Sequence, residues 1–216
     1  MAGNGDRRQE VIRRAYDFST NASPVPIPSF SIDGVLPPYV GASGPGGRAE
    51  DMSPYVVTAL EIVSTLGGTD RRNEILRGWL GHRAALRILG FQRGFQWLDG
   101  SFVEAKEPRD LDVVTFIYRP ATIMNAAALS MVVQANGLVF DRMLVKDRYM
   151  LDAFFVDLNA PPESIVNVSR YWLGLFSHRR ADDLWKGLLQ VRLETVADDA
   201  TASAALGSMP SRGGAP

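Results

Sequence analysis

Residues 95–114 read Phe-Gln-Trp-Leu-Asp-Gly-Ser-Phe-Val-Glu-Ala-Lys-Glu-Pro-Arg-Asp-Leu-Asp-Val-Val, and the fold turns on how this stretch divides. An apolar strand, Phe95 to Leu98, leads into the turn Gly100-Ser101. A polar loop with one proline follows, and a second strand opens with Asp110 and Asp112. Side chains alternate faces along a strand, so the two aspartates point the same way, with Cα atoms about 6–7 Å apart. Two carboxylates on one face at the mouth of a strand suit a pair of Mg²⁺ or Mn²⁺ ions. Gly100 and Ser101 can offer backbone N–H groups and a hydroxyl to a phosphate held there. Asp99 reads as a cap of the turn and stays outside the expected catalytic set.

On both sides of this stretch the pattern alternates helix and strand signals. Ser53 followed by Pro54 predicts an N-cap and first helical position, with a helix to Leu66 stopped by Gly67-Gly68. Thr69 predicts the cap of a longer helix to Leu89, ended by Gly90. Its stripe Ile75, Trp79, His82, Leu86 and Leu89 marks a buried face, on which His82 reads as a core residue. Strands are expected at 94–99, 111–118, 149–158 and 188–193, with a short strand or turn at 139–145. Helices are expected from Pro120 to Ala135 and from Pro161-Pro162, the second with an apolar stripe of Ile165, Val168, Trp172 and Leu175. The fold class is therefore α+β, a mixed sheet with helices packed on it.

The ends read differently. Residues 7–18 carry one apolar face and predict a short helix. Six prolines and five glycines fall within residues 19–52, so an extended course follows. Phe30 to Tyr39 is expected to lie across the domain as a strap, because Phe30, Ile32, Val35 and Leu36 are too apolar for a free linker. Residues 41–50 are expected to move. The small, polar residues 196–216 predict a disordered tail. The domain expectation is thus an N-terminal extension at 1–50, a folded domain at 51–195 and a tail at 196–216.

With 216 residues, 46% hydrophobic and 22% charged, the chain is long enough for one substantial core. It has no cysteine, which excludes disulfides, thiolate catalysis and cysteine-zinc sites. His82 and His178 lie too far apart to suggest a ligand pair. The net charge of −1 gives no global field toward nucleic acid or membranes. No apolar run reaches the ~20 residues of a membrane span. No apolar signal core opens the chain, so a soluble cytoplasmic location is expected. The three lysines, Lys106, Lys146 and Lys186, each fall beside a strand or in the motif loop.

The joint pattern of strand, Gly-Ser, loop, Asp-x-Asp and apolar strand resembles the polymerase-β type nucleotidyltransferase superfamily. A closer resemblance is to a bacterial domain-of-unknown-function family within that group. It is carried by PSFSIDGVLPPYVG at 28–41, Arg71-Arg72, WLDGSFVEAKEPRDLDVV at 97–114, LDAFFVDL at 151–158, YWLGLFSHRR at 171–180 and KGLLQVRL at 186–193. The resemblance implies a metal-dependent nucleotidyltransferase that moves a nucleotide from a nucleoside triphosphate (NTP) to a hydroxyl acceptor. That acceptor would be a protein side chain, an RNA end or a small molecule, in a bacterial defence or toxin–antitoxin setting. A catalytically silent module that binds a nucleotide or partner is the alternative. The spacer of eight residues between Ser101 and Asp110, and Phe102 after the serine, depart from the minimal antitoxin-type enzymes. Triphosphate contact would then shift to Lys106 or Arg109. The superfamily also implies a third carboxylate from a later strand. Asp152 and Asp157 are five residues apart and must face opposite ways. Asp152, with Phe154 and Val156 on its face, is the expected third ligand beside Asp110 and Asp112, because Asp157 can escape to solvent.

Overall fold

The computed structural model describes residues 26–41 and 48–210. The expected helix at 7–18 and most of the 41–50 segment lie outside the described residues. A five-stranded mixed sheet is formed by β1 (Tyr55–Val56), β2 (Gly94–Asp99), β3 (Leu111–Ile117), β4 (Leu151–Asp157) and β7 (Leu189–Arg192), in the order β1-β7-β2-β3-β4. A separate two-stranded ribbon pairs β5 (His178–Arg179) with β6 (Leu184–Trp185). Within the main sheet β2 runs antiparallel to β3 and β7, whereas β3–β4 and β1–β7 are parallel. The helices are α1 (Ala59–Leu66), α2 (Asp70–Ile88), α3 (Ala126–Ala135), α4 (Gly137–Phe140), α5 (Arg142–Tyr149), α6 (Pro162–Phe176) and α7 (Val196–Ser208).

Strand parity sorts the core. Leu98, Val113, Ala153 and Val191 leave one face of the sheet and pack with Ile62, Trp79, Ala202 and Leu206 of α1, α2 and α7. Trp97, Val114, Phe116 and Val156 leave the other face and pack with Trp172 and Phe176 of α6. Burying each such side chain contributes about 1.5–3 kcal/mol. A polar network is sealed into the first layer. Trp79 Nε1 and Arg83 donate to Gln96 Oε1, and Gln96 Nε2 donates to Thr115 Oγ1, at 2.8–3.0 Å. His82 is fully buried, and its Nε2 lies 2.9 Å from the carbonyl of Val139. Burial pulls His82 down to about 4, so it is a neutral core residue, as expected.

The strap is docked. Val35 and Leu36 are buried, Leu36 N–H donates to Val103 O, and Gly187 N–H donates to Leu36 O. Tyr55 donates its hydroxyl proton to Pro37 O at 2.8 Å. Ile32, in contrast, is fully exposed at the tip of the turn.

Four local expectations change. Ser53 caps no helix: its hydroxyl accepts from Leu188 N–H, and Tyr55–Val56 pair with β7 as a strand. The helix starts later, where Thr58 accepts from Glu61 N–H. Pairing with a distant strand outweighs a cap worth about 1 kcal/mol. The helix expected from Pro120 starts at Ala126 under an Asn125 cap. Residues 139–145 are helical in α4 and α5, with Asp141 accepting from Met143 and Leu144 N–H. Residues 196–208 are a helix and not a disordered tail. Asp199 is held there by Arg83 at 2.6 and 3.0 Å and by Arg87 at 2.6 Å, and Asp198 accepts from Ala59 N–H at 2.6 Å. Small residues form a helix once its acidic first turn meets buried arginines and a neighbouring helix N-terminus. Among the described residues no helix is long and apolar enough to cross a membrane.

Candidate functional site

The site lies at one end of the sheet. β2 ends in Asp99 and β3 and β4 each begin with a residue followed by an aspartate, Asp112 and Asp152. In the ladder Asp99 is the partner of Asp112, and Asp112 is the partner of Asp152. Directly paired residues share a face, so three carboxylates form a row across three adjacent strands. Asp110 lies one strand step before Asp112 on the same side. The row sits on the face covered by α6. Asp157 is at the far end of β4, paired with Arg119. The choice of Asp152 over Asp157 as the neighbour of Asp112 therefore agrees with the ladder.

The Gly-Ser turn is built tightly over the row. Gly100 to Val103 form a 3₁₀ turn, and Gly100 has φ +76°. A Cβ at Gly100 would stand 1.9 Å from Asp112 Oδ2. Only glycine permits both that backbone angle and that approach. The loop beyond is clamped from below by Arg72, whose guanidinium donates to the carbonyls of Leu66, Phe102, Glu104 and Lys106 at 2.7–3.2 Å. Lys186, 2% exposed, donates to Gly100 O at 3.2 Å. Its Nζ also lies 2.9 Å from Asp99 Oδ1 and 3.5 Å from Glu104 Oε1. Asp99 Oδ1 meets that ammonium off hydrogen-bond alignment. Lys186 thus holds both ends of the turn.

A cleft of about 240 Å³ opens above these groups. Its walls include Asp99, Gly100, Ser101, Lys106, Asp112 and Arg180. Burial pushes Asp99 up to about 7 against the pull of Lys186. Burial first, then the charges of Asp110 and Asp152, push Asp112 up to about 6. Asp152 moves the other way, because Arg142 hydrogen-bonds both its oxygens. Asp110 pairs with Lys146 at 2.6 Å. Arg142 and Lys146 are one turn apart on α5, so one short helix supplies both cations.

The sequence-predicted residues are thus distributed unevenly. Asp110, Asp112 and Asp152 come together at one end of the sheet, Gly100 packs directly against Asp112, and Ser101 lines the cleft beside them. Lys106 lines the cleft but is paired with Glu104 at 2.6 Å. Arg109 is exposed, lies outside the cleft lining, and contributes its carbonyl to Arg71. Sequence reasoning missed Asp99, Lys186, Arg180 and Arg142. The signal for one of them was present: the three lysines in an arginine-rich chain all end at this carboxylate row or at Glu104 beside it.

All-carboxylate oxygen donors suit Mg²⁺ or Mn²⁺ in kind. In placement, no group of three or more acidic or histidine side chains among the described residues converges as a metal site. Among the described residues no cation is bonded to Asp112, whereas Asp99, Asp110 and Asp152 each hold one. The partners on Asp110 and Asp152 are exposed, with side chains 44% and 57% accessible for Lys146 and Arg142. Exposed ion pairs are weak, since water replaces either partner. The residues match a divalent ion in kind and not in placement.

No curated protein and no solved structure matches the chain. A family model described as a family of unknown function, DUF6932, matches residues 28–192. That span starts at the strap, takes in the Gly-Ser turn, the carboxylate row and the cleft, and ends with β7; the chain belongs to the DUF6932 family.

Proposed function

We propose that this chain is a nucleotidyltransferase-like protein that binds an NTP in the cleft and transfers a nucleotide to a hydroxyl acceptor. The observation that carries the reading is the ladder register of Asp99, Asp112 and Asp152 beside the Gly100-Ser101 turn. The order of strand, Gly-Ser turn, antiparallel Asp-x-Asp strand and parallel aspartate strand supports the superfamily resemblance. When bound, Mg²⁺ or Mn²⁺ held by Asp112 with Asp110 and Asp152 would neutralise charge on the phosphates and on the leaving pyrophosphate.

The chain's own residues have distinct tasks in this reading. The turn presents backbone N–H groups and the Ser101 hydroxyl to a phosphate. Asp112, pushed up to about 6 by burial and its neighbouring carboxylates, has the most to gain from a bound cation, which would favour its ionised, ligating form. Lys186 fixes the turn, and Leu175 and Phe176 of α6 wall the cleft. The acceptor class is a protein side chain, an RNA end or a small molecule, and the setting a bacterial cytoplasm with a defence or toxin–antitoxin role.

A second reading is favoured by one observation. Asp110 and Asp152 already hold cations of the chain itself, which suits a catalytically silent module that binds a nucleotide or a partner. Incubation with each labelled NTP and Mg²⁺ or Mn²⁺, alone and with host lysate, separates the two. Labelled protein, labelled RNA or released pyrophosphate is the outcome for transfer. NTP binding with no transfer under any condition assigns the silent role.

A further inference from the structure

Four cations and three carboxylates line the cleft, with His178. Most of the cations are spent. Lys186 meets Asp99 and Glu104, and Lys106 meets Glu104. Arg179 pairs with Asp182 and donates to Asp33 O at 2.8 Å. Among the described residues Arg180 has no hydrogen bond, ion pair or ring contact. Its charge still reaches the row, since it favours the ionised forms of both Asp112 and Asp152. Among the described residues, Arg180 and Asp112 thus line one cleft as its unpaired guanidinium and its one carboxylate with no cation bonded to it.

The backbone carrying Arg180 is fixed on both sides. Asp182 and Asp183 N–H donate to Arg179 O, closing the β5–β6 ribbon. Arg179 ties the ribbon to the strap, and Lys186 N–H donates to Ser177 O just beyond it. With the backbone already fixed, a ligand has only the Arg180 side chain left to order. A guanidinium also offers a planar fork that matches phosphate oxygens in pairs.

We propose that Arg180 is the polyphosphate ligand of this cleft, the role that the sequence expectation gave to Lys106 or Arg109. This rests on the nucleotide-binding part of the function proposed above, and not on transfer. The phosphate chain lies between Arg180 and the Gly100-Ser101 turn, which packs against Asp112.

Calorimetric titration with inorganic tripolyphosphate, in chelator and low salt, tests it on the full chain. Wild type is compared with Arg180→Ala, Arg180→Lys, Arg109→Ala and Arg170→Ala, the last a change on the exposed surface of α6. The expected result is a loss of about tenfold or more in Arg180→Ala, of the size a charge-assisted pair gives. Arg180→Lys recovers part of it, and Arg109→Ala and Arg170→Ala bind as wild type. The proposal is overturned if wild type fails to bind, if Arg180→Ala binds as wild type, or if Arg170→Ala loses as much. Tripolyphosphate binding that depends on Arg180, in a protein that transfers no nucleotide, upholds this site and refutes transfer.

Discussion

Asp112→Asn should make the metal-free protein more stable at neutral pH, and the gain should disappear in acid. Asp112 is pushed from 3.8 up to about 6 in the folded chain, first by burial and then by the charges of Asp110 and Asp152. A folded-state value above the unfolded one means that the folded protein binds the proton more tightly. Below the unfolded value both states are protonated and nothing is lost. As pH rises from about 4 to about 6 the buried carboxylate ionises at a cost, and above that the cost is constant. Two pKa units correspond to about 3 kcal/mol, which is the ceiling for the neutral side chain's advantage. Urea unfolding with chelator at pH 4, 6 and 8 reads it directly. The variant should match wild type at pH 4 and exceed it by about 1–3 kcal/mol at pH 8. A variant no more stable than wild type at pH 8 would refute the claim that this carboxylate is held against its preference. With saturating Mn²⁺ the order should reverse, because wild type alone keeps the full donor set.

Asp199→Ala should cost about 3–5 kcal/mol, since it strands the fully buried Arg83, and urea midpoints check this. A cost under about 1 kcal/mol would mean that α7 does not dock. Lys186→Met should cost about 3 kcal/mol at pH 8 and less at pH 6, where Asp99 takes up a proton in place of its lost partner. Thermal unfolding at the two pH values tests it, and a pH-independent loss would contradict the pairing. Gly100→Ala should fold with a penalty of at least about 1 kcal/mol and displace the Asp112 carboxylate. Its Mn²⁺ affinity, read by calorimetry, should fall; unchanged affinity would show that Asp112 is not a metal ligand.

Local sequence determined a good deal of this protein. Thr69 and Gly90 bracket α2 because capping is a contact within a few residues. The strands at 94–99 and 111–117 follow from apolar runs closed by turn residues. The common side of Asp110 and Asp112 follows from the two-residue period of a strand, and the opposed directions of Asp152 and Asp157 from the same period. The apolar content of the strap predicted that it docks, and Val35 and Leu36 are buried.

Tertiary structure decided what depends on partners far along the chain. Parity placed Asp99 on the side of Trp97, but only the antiparallel register shows that this is also the side of Asp112. Ser53 and Pro54 have the local chemistry of a helix start, and β7, more than 130 residues on, takes that segment as a strand. Residues 196–208 have the composition of a tail until Asp199 meets Arg83 and Arg87, from α2. The cleft belongs to the same class. Its cations come from the loop after β2 and from the β5–β6 ribbon with the residues that follow it, so which of them is left unpaired is fixed only when the ribbon closes over the Gly-Ser turn. Charges separated by 80 residues have no defined distance in an unfolded chain, and it is their distance in the folded one that sets which carboxylate is neutralised and which is free to act.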